Sequence, residues 1–308
     1  MADSIRITAP ATSANLGPGF DTLALALDFT NEVIVTRRPG PLEVVVTGEG
    51  ADELPADETN LVCRAMASGL GSLDGLRIEC ANAIPLRSGL GSSAAAACSG
   101  LVAANALGLL RWTPDEMVRR GGEFDGHLDN VAACVWGGIV AATGDGQVTQ
   151  LPIPEELLFV VVTPAVSVST ESARALLPAA IPYADAATSL ANAVTLALMI
   201  ERGQFDEIDR VLGDRLHEPY REEGIPGLAL LRGMAGTDGC LGTTISGSGP
   251  SVLLWCSRAE ASDVADRAAA LLSAEGIDAT TRVLRVAPGG IRGRWIDNPD
   301  TRLAKAVG

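Results

Sequence analysis

Histidine is scarce in this chain of 308 residues, and its six cysteines are scattered. Only His127 and His217 are present, and no CxxC pair occurs. Because a structural zinc site needs four Cys or His ligands, often at such short spacings, this scarcity argues against a zinc centre. Most of the cysteines lie within apolar runs, which favours buried reduced thiols in a cytoplasmic protein over disulfides. They are Cys63, Cys80, Cys98, Cys134, Cys240 and Cys256.

Basic residues and long apolar runs are also lacking. Lys and Arg number 23 against 38 Asp and Glu, which gives a formal net charge of −15. Nucleic acids and anionic membranes bind basic surfaces, so neither is an expected partner. No uncharged apolar run is long enough to predict a membrane span. The opening residues MADSIRITAP lack a basic region followed by an apolar stretch, so no signal peptide is expected.

The residues that are present predict two domains of mixed helix and strand. Hydrophobic residues make up 47% of the chain, enough for substantial cores, and the length suggests about two domains. A boundary is predicted at LPIPEE, which divides the chain into residues 1–155 and 156–308. The second part alternates strands and helices in a pattern typical of an α+β domain with an antiparallel sheet.

Several individual elements follow from local signals. Thr113, Pro114 and Glu116 form a helix start with a capping box. Alternating valines at 33, 35, 44 and 46 suggest a hairpin, and Asp145-Gly146 suggests another hairpin turn. The polar segment after Pro288 is expected to be loosely ordered at its end. Further helices are predicted at 60–70, 169–178, 184–202, 204–217 and 259–275.

Residues 85–95, PLRSGLGSSAA, form a glycine-rich loop between a predicted strand and a predicted helix. Unpaired N–H groups and the helix dipole make such a place an anion site. Gly89 and Gly91 would let the backbone approach an anion closely, and Ser92 and Ser93 add hydroxyls. No Lys follows the last glycine, so the loop is not a Walker A motif. The alternative is an ordinary glycine turn with a serine cap.

This loop resembles the phosphate loop of the GHMP kinases, named for galactose, homoserine, mevalonate and phosphomevalonate. Residues 9–21, APATSANLGPGFD, resemble the N-terminal motif of that family, and residues 242–250, GTTISGSGP, resemble its C-terminal motif. The three motifs occur in the family's order. The resemblance implies an N-terminal domain like that of ribosomal protein S5, a ferredoxin-like C-terminal domain, and ATP as phosphoryl donor.

The resemblance also implies the nucleotide and metal sites. By resemblance, Glu123 and Ser92 hold Mg²⁺, a hard cation that prefers oxygen ligands. The alternative for Glu123 is a solvated carboxylate on a helix face. Asn60 is expected to contact adenine. The remaining ATP-binding residues are Pro85, Leu86, Arg87, Ser88, Gly89, Leu90, Gly91, Ser92, Ser93, Ala94 and Ala95.

The segment EFDGHLDNVAAC, residues 123–134, resembles the pattern EGHxDNVA of the homoserine kinase branch. Leu128 stands where many members carry Pro, a departure that affects turn stiffness more than chemistry. Asn130 stands near the point where the mevalonate and galactose kinases of the family place an aspartate. The resemblance therefore implies that Asn130, Glu123 and Ser92 act by positioning and by stabilising charge, without a dedicated base.

Two further segments resemble the substrate motifs of this branch. VSVSTESARALLP supplies Arg174 and LHEPYREEGIPG supplies Arg221, which are expected to grip a carboxylate together. Asp21 suits an ammonium group. Asn15, His127 and Gly247 are expected to lie at the substrate. As alternatives, Asn15 could be a turn residue, Asp21 a helix cap, and the arginines solvated ion-pair partners.

The resemblance implies phosphorylation of the L-homoserine hydroxyl by ATP with Mg²⁺, feeding threonine synthesis, in a cytoplasmic enzyme. A homodimer is a further expectation, since homodimers are common in the family. One alternative is a kinase of the same family for shikimate or a mevalonate-like alcohol. A second is a binding protein on this fold that has lost catalysis.

Overall fold

The computed structural model describes residues 4–296, which form two sheets covered by helices. The strands are β1 Ser4–Ala14, β2 Leu23–Arg37, β3 Glu43–Gly48, β4 Leu76–Asn82, β5 Ile139–Ala142, β6 Val148–Leu151, β7 Leu157–Pro164, β8 Cys240–Ile245, β9 Val252–Ser257, β10 Ala279–Leu284 and β11 Arg292–Ile296. The helices are α1 Leu61–Leu70, α2 Ser92–Gly108, α3 Pro114–Asp125, α4 Asp129–Trp136, α5 Thr170–Ala175, α6 Tyr183–Arg202, α7 Asp209–Leu212, α8 Glu218–Arg221, α9 Leu228–Arg232 and α10 Ala261–Ala274.

The first sheet contains seven strands in the order β11-β1-β2-β4-β3, with β5 paired to β2 and β6 to β5. The antiparallel register of β1 and β2 shifts between Pro10 and Ala11. Proline has no N–H to give to the ladder, so an irregularity there is expected. Beyond the shift, the strand continues to Ala14, where the chain turns toward the cleft described below.

The predicted hairpin of the valine strands is wrong. The chain crosses over between β2 and β3 so that β4 lies between them, and β3 pairs with β4 in parallel. Alternating valines predict a half-buried strand, but the alternation carries no information about which strand is the neighbour. The second predicted hairpin, with its turn at Asp145-Gly146, is confirmed by the pairing of β5 with β6.

Helix α2 lies against the first sheet and begins at the end of the glycine-rich loop. Its buried face consists largely of alanines, so neighbouring elements come close. At Gly100 a Cβ atom would overlap the carbonyl oxygen of Val62, so α1 can pack at this distance only against glycine. The close packing fixes the position of the helix start, and with it the position of the loop.

The second sheet has the order β10-β7-β9-β8 and is antiparallel throughout. Val160 and Val162 of β7 pack in a cluster with α10 on one face. Phe159 and Trp255, whose rings meet edge-on with centroids 5.0 Å apart, face a core shared with residues of the first sheet. Because successive strand residues point to opposite faces, one face of this sheet packs on α10 and the other packs in the core shared with the first sheet. All six cysteines are buried, as predicted.

The proposed division after residue 155 stays a prediction. The second sheet begins with β7, just after that point, but β11 returns to the first sheet and pairs with β1. The polar segment after Pro288 therefore contains an edge strand, and its last residues, 297–308, lie outside the described part of the chain.

The helix signals had mixed outcomes. The capping box at Thr113 and Glu116 is present, and α1, α6 and α10 lie where predicted. The helix predicted over 204–217 is wrong, because only α7 is helical there. Asp214 ends that stretch by accepting hydrogen bonds from the N–H groups of Leu216, His217 and Glu218. A carboxylate that satisfies the first N–H groups of a turn starts a new element.

Helix α6 exposes an apolar face that includes Leu190, Val194 and Leu198. By length and composition alone it is apolar enough to cross a membrane, a test that core helices of globular proteins also pass. It is the one helix within residues 4–296 that meets this description.

Candidate active site

A single cleft gathers most of the residues predicted to be functional. It lies where the end of β1, the glycine-rich loop, the start of α4, helix α5 and helix α8 meet. Its lining residues are Ala14, Asn15, Phe20, Asp21, Arg87, Ser88, Gly89, Leu90, Gly91, Ser92, Ser93, Asp125, His127, Asp129, Asn130, Ser169, Thr170, Arg174, Arg221, Gly247 and Ser248. We call residues 87–93 the loop end, and Asp21, Arg174 and Arg221 the arginine end.

The loop end is a backbone structure that needs glycine. Gly91 adopts a φ of 67° and precedes the first residue of α2 without any side-chain cap. The free N–H groups of the helix start are therefore available to an anion. A Cβ atom at Gly91 would overlap the hydroxyl of Thr12, which donates a 2.6 Å hydrogen bond to Oδ1 of Asn130. Local conformation and close contact both exclude a side chain here.

The C-terminal glycine motif packs directly on the loop end. The Ser246 hydroxyl lies 2.8 Å from the carbonyl oxygen of Gly89, and the Ser251 N–H donates to Ser88 O at 3.0 Å. A Cβ atom at Gly89 would overlap the Ser246 carbonyl oxygen. Gly247 takes part through its carbonyl oxygen, which accepts from Asn15 Nδ2 at 2.8 Å. The motif therefore braces the loop and orients side chains.

At the arginine end, Arg221 is buried and held in place on several sides. Its Nη1 donates to Gly247 O and to Nδ1 of His217, both at 3.1 Å, and its Nε donates to Ala173 O at 3.4 Å. His217 is fully buried, and its Nε2 lies 2.9 Å from Gly17 O. Burial lowers the pKa of His217 to about 4, so the ring is neutral. It therefore donates from Nε2 to Gly17 and accepts from Arg221 at Nδ1.

Arg174 is held quite differently. It is exposed on α5 and forms a two-pronged ion pair with Asp21, with nitrogen–oxygen distances of 2.5 and 3.3 Å. The centroid of the Phe20 ring lies 5.6 Å from the guanidinium carbon of Arg174 and 5.7 Å from that of Arg221. Phe20 also stacks on His217 with ring centroids 5.1 Å apart. The aromatic face attracts both cations, so the two arginines converge on one wall of the cleft.

Asn15 and Asp21 belong to one tight turn. Both have positive φ, 71° and 52°, and Asn15 Oδ1 accepts the N–H of Asp21 at 3.0 Å. The reading of Asn15 as a turn residue is therefore confirmed. It does not compete with a place at the substrate, because both side chains also line the cleft.

Two carboxylates in the cleft, the buried Asp129 and the half-buried Asp125, were missed by sequence reasoning. Asp129 begins α4 and accepts the N–H of Asn130 at 2.7 Å, and burial raises its pKa to about 6. Withdrawal from water also raises the pKa of Asp125 to about 6, against the lowering effect of the neighbouring Ser93 side chain. Carboxylates with raised pKa values in a cleft are candidates for function.

Glu123, the predicted metal ligand, is exposed on α3 and does not line the cleft. Asp125 stands two residues later, and successive helical residues turn by about 100°, so the two side chains face nearly opposite directions. The sequence held the signal. When the pattern EGHxDNVA is anchored on Asn130, its first residue falls on Asp125 and not on Glu123.

Other predicted nucleotide residues also lie outside this cleft. Asn60 caps α1, with Oδ1 accepting from Val62 N at 3.0 Å and Nδ2 donating to Pro55 O at 2.8 Å, so its side chain is committed to the fold. Ala94 and Ala95 are buried in the core. Pro85 and Leu86 line a neighbouring depression that shares Ser88 with the cleft. Within residues 4–296, no group of three or more His, Cys, Asp and Glu side chains could hold a metal ion by itself.

Comparison with known proteins matches both halves of this architecture to one family. Residues 59–138 match the model of the GHMP kinase N-terminal domain, and residues 195–274 match the model of the C-terminal domain. A homoserine kinase from Moorella thermoacetica is 36% identical over 285 residues, covering 90% of this chain and 96% of the relative. One from Streptomyces avermitilis is 38% identical over 274 residues, covering 86% and 89%.

A solved structure agrees with the sequence relatives. The crystal structure of homoserine kinase from Cytophaga hutchinsonii superposes with a TM-score of 0.86 and 32% identity, covering 96% of this chain and 98% of that one. The predicted α+β architecture of two associated domains is confirmed. The chain belongs to the homoserine kinase branch of the GHMP kinase family.

Proposed function

We propose that this protein transfers the γ-phosphoryl group of ATP to the side-chain hydroxyl of L-homoserine, giving O-phospho-L-homoserine for threonine biosynthesis. The observation that carries the proposal is the pairing of two recognition surfaces in one cleft. A backbone anion loop lies at one end, and two arginines with an aspartate lie at the other. A phosphoryl donor and a small zwitterion with a hydroxyl would meet between them.

ATP binds through the loop end in this proposal. The N–H groups at the start of α2 receive phosphate oxygens, because they have no partner within the helix and Gly91 gives them no side-chain cap. Ser88 lines both the cleft and the neighbouring depression, so the nucleoside extends over Pro85 and Leu86. Pro85 and Leu86, and not Asn60, are therefore the residues that we propose to lie against the nucleoside.

The residues in the cleft also fit Mg²⁺. Asp125 and Ser92 would present a carboxylate and a hydroxyl, the hard oxygen ligands that this ion prefers, and the nucleotide phosphates would supply further oxygens. We propose Asp125 in place of Glu123. When bound, Mg²⁺ neutralises charge on the phosphoryl oxygens.

L-Homoserine binds at the arginine end. Arg221 and Arg174 receive its carboxylate, because a guanidinium donates two parallel N–H bonds to such a group. Asp21 receives its ammonium, and His127 also lines the cleft. Asn130 lines the cleft beside Gly91, and its Oδ1 already accepts from Thr12, so its amide N–H groups remain for the substrates. Catalysis rests on holding the hydroxyl and the phosphoryl group in line.

A panel of small alcohols tests this function. Purified protein is assayed for ADP release with ATP and Mg²⁺ and, in separate reactions, L-homoserine, shikimate or mevalonate. Turnover with homoserine, and with neither shikimate nor mevalonate, supports the proposal. Preference for shikimate or mevalonate supports the alternative substrate. If no alcohol causes ADP release although the protein still binds nucleotide, the result supports a binding protein that has lost catalysis.

The remaining expectations concern assembly and location. We propose a homodimer in the cytoplasm, for which the exposed Leu190, Val194 and Leu198 of α6 offer an apolar contact surface. Sedimentation of the wild-type protein and of Val194→Glu tests the dimer. A monomeric wild type contradicts it, and a dimer unaffected by Val194→Glu places the contact elsewhere.

A further inference from the structure

The two charged groups assigned to opposite ends of the substrate already bind each other. Arg174 Nη2 lies 2.5 Å from Asp21 Oδ2, and Arg174 Nη1 lies 3.3 Å from Asp21 Oδ1. The pair raises the pKa of Arg174. A carboxylate that occupies both prongs of a guanidinium leaves few donors free for a second carboxylate. The free protein therefore has its Arg174 fork closed.

Arg221 does not share this arrangement. Its donors go to Gly247 O, Ala173 O and His217 Nδ1, none of which is an anion. Within residues 4–296 Arg221 has no direct carboxylate partner, so its charge is fixed in place by neutral groups. The arginine end thus holds one cation without a direct carboxylate partner and one ion pair.

We infer that homoserine enters by ion-pair exchange, and that this exchange makes the site specific for zwitterions. The inference rests on the proposed function. The substrate carboxylate takes Asp21's place on Arg174, and the substrate ammonium takes Arg174's place on Asp21. Two charge contacts form while one ion pair opens, so neither Arg174 nor Asp21 is left without a partner.

A ligand with only half of the zwitterion cannot complete the exchange. 4-Hydroxybutanoate has the carboxylate and hydroxyl but no ammonium, so opening the pair leaves Asp21 unpartnered. 3-Aminopropan-1-ol has the ammonium but no carboxylate, and it leaves Arg174 unpartnered. Each half-ligand thus forms one charge contact and breaks another, whereas homoserine forms two and breaks one, and for a pair this exposed the difference is modest. The Asp21–Arg174 pair thus lowers the affinity for each half-ligand, although the residue that would bind it is present in the cleft.

Isothermal titration with the half-ligands tests the exchange in the presence of a non-hydrolysable ATP analogue and Mg²⁺. In Asp21→Asn, Arg174 is freed, so we expect 4-hydroxybutanoate to bind about fivefold more tightly while homoserine binds more weakly. If contacts were simply additive, this half-ligand, which has nothing for Asp21 to bind, would keep its affinity. Unchanged or weaker binding of 4-hydroxybutanoate overturns the inference.

Removal of any negative charge could also favour an anion, and a double variant separates the two causes. Under exchange the gain requires Arg174, so Asp21→Asn in an Arg174→Ala background should add nothing. A gain that persists there is a general charge effect and overturns the inference. Asp28→Asn is the matched control, because Asp28 forms an exposed ion pair with Arg285 away from the cleft. It should leave the affinity for all three ligands unchanged.

The mirror experiment covers the case in which Asp21→Asn does not fold. Arg174→Ala alone should bind 3-aminopropan-1-ol about fivefold more tightly, and an unchanged affinity counts against exchange. Failure of exchange and failure of the function are distinguishable. If wild-type protein phosphorylates homoserine but neither variant gains a half-ligand, only the exchange is wrong. If the wild type does not use homoserine, the function is wrong.

Discussion

The two ends of the cleft offer hydrogen-bond donors to an anion by different means. The loop end offers backbone N–H groups at the start of α2, and its glycines allow Thr12 and Ser246 to pack closely against it. The arginine end uses charged side chains from segments far apart in sequence, around Asp21, Arg174 and Arg221. Backbone groups are fixed by the path of the chain, whereas side chains must be fixed by further contacts. His217 and Phe20 supply those contacts at the arginine end.

The difference teaches where each end is vulnerable. A change at the loop end acts through sterics and should be close to all-or-none. A change at the arginine end removes one of several contacts and should be graded. It should also be selective for one substrate.

The largest effect is expected at Gly91. Gly91→Val places a branched side chain at a positive φ and against the Thr12 hydroxyl, so nucleotide binding and turnover should be abolished. Nucleotide affinity is measured by titration with the ATP analogue, and folding by circular dichroism. Gly144→Val is the control, since a Cβ atom there meets nothing within 4 Å. Normal affinity in folded Gly91→Val protein would remove the loop end from the ATP site.

The next effect compares two acids that lie two residues apart on α3, Glu123 and Asp125. Asp125→Ala should lower kcat by about 10² or more, roughly 2.7 kcal/mol, because a misplaced cation no longer neutralises the transferring phosphoryl group. Glu123→Ala should stay within a few-fold of wild type, because Glu123 is exposed outside the cleft. Steady-state kinetics over a range of Mg²⁺ concentrations measure both. The reverse ranking would restore Glu123 as the ligand.

The arginines should affect homoserine and spare ATP. Loss of a charge-assisted partner costs about 1.5–3 kcal/mol, so Arg174→Ala and Arg221→Ala should raise KM for homoserine about 10- to 150-fold. Arg221→Lys should not restore it, because an ammonium lacks the planar fork whose Nε reaches Ala173 O while its Nη1 reaches Gly247 O. KM for ATP should barely change. A rise in KM for ATP with homoserine unaffected would assign the arginines to the nucleotide.

The smallest expected effect is the pH dependence that the neutral His217 gives to the unfolding free energy. His217 has a pKa of about 4 in the folded protein against 6.5 when unfolded, so the unfolded chain binds more protons between these values. Its contribution to the unfolding free energy therefore falls as pH drops from about 6.5 to about 4, with a slope approaching about 1.4 kcal/mol per pH unit.

Urea unfolding of the wild type and of His217→Asn across this range measures that slope as a difference. The comparison with His217→Asn is needed because Asp125, Asp129 and Glu218 also titrate in this range. Their pKa values are raised in the folded protein, so their contributions to the unfolding free energy fall as pH rises, opposite to that of His217. The same difference at every pH would mean that His217 does not titrate as a neutral buried ring.

Much of this protein could be predicted from its sequence, since the decisive signals are contiguous. The strand, the glycine loop and the helix start follow one another between residues 76 and 108, so local rules suffice to place an anion site there. The capping box at Thr113 is equally local. Motif resemblance added Asn15, Asp21, Arg174 and Arg221, all of which line the cleft.

Other features were decided by tertiary structure alone. Strand alternation fixes which residues are buried, but long-range packing places β4 between β2 and β3 and brings β11 back beside β1. The pairing of Asp21 with Arg174 joins residues 153 positions apart. Local sequence sets backbone conformation, whereas contacts between distant side chains exist only once the two sheets share a core.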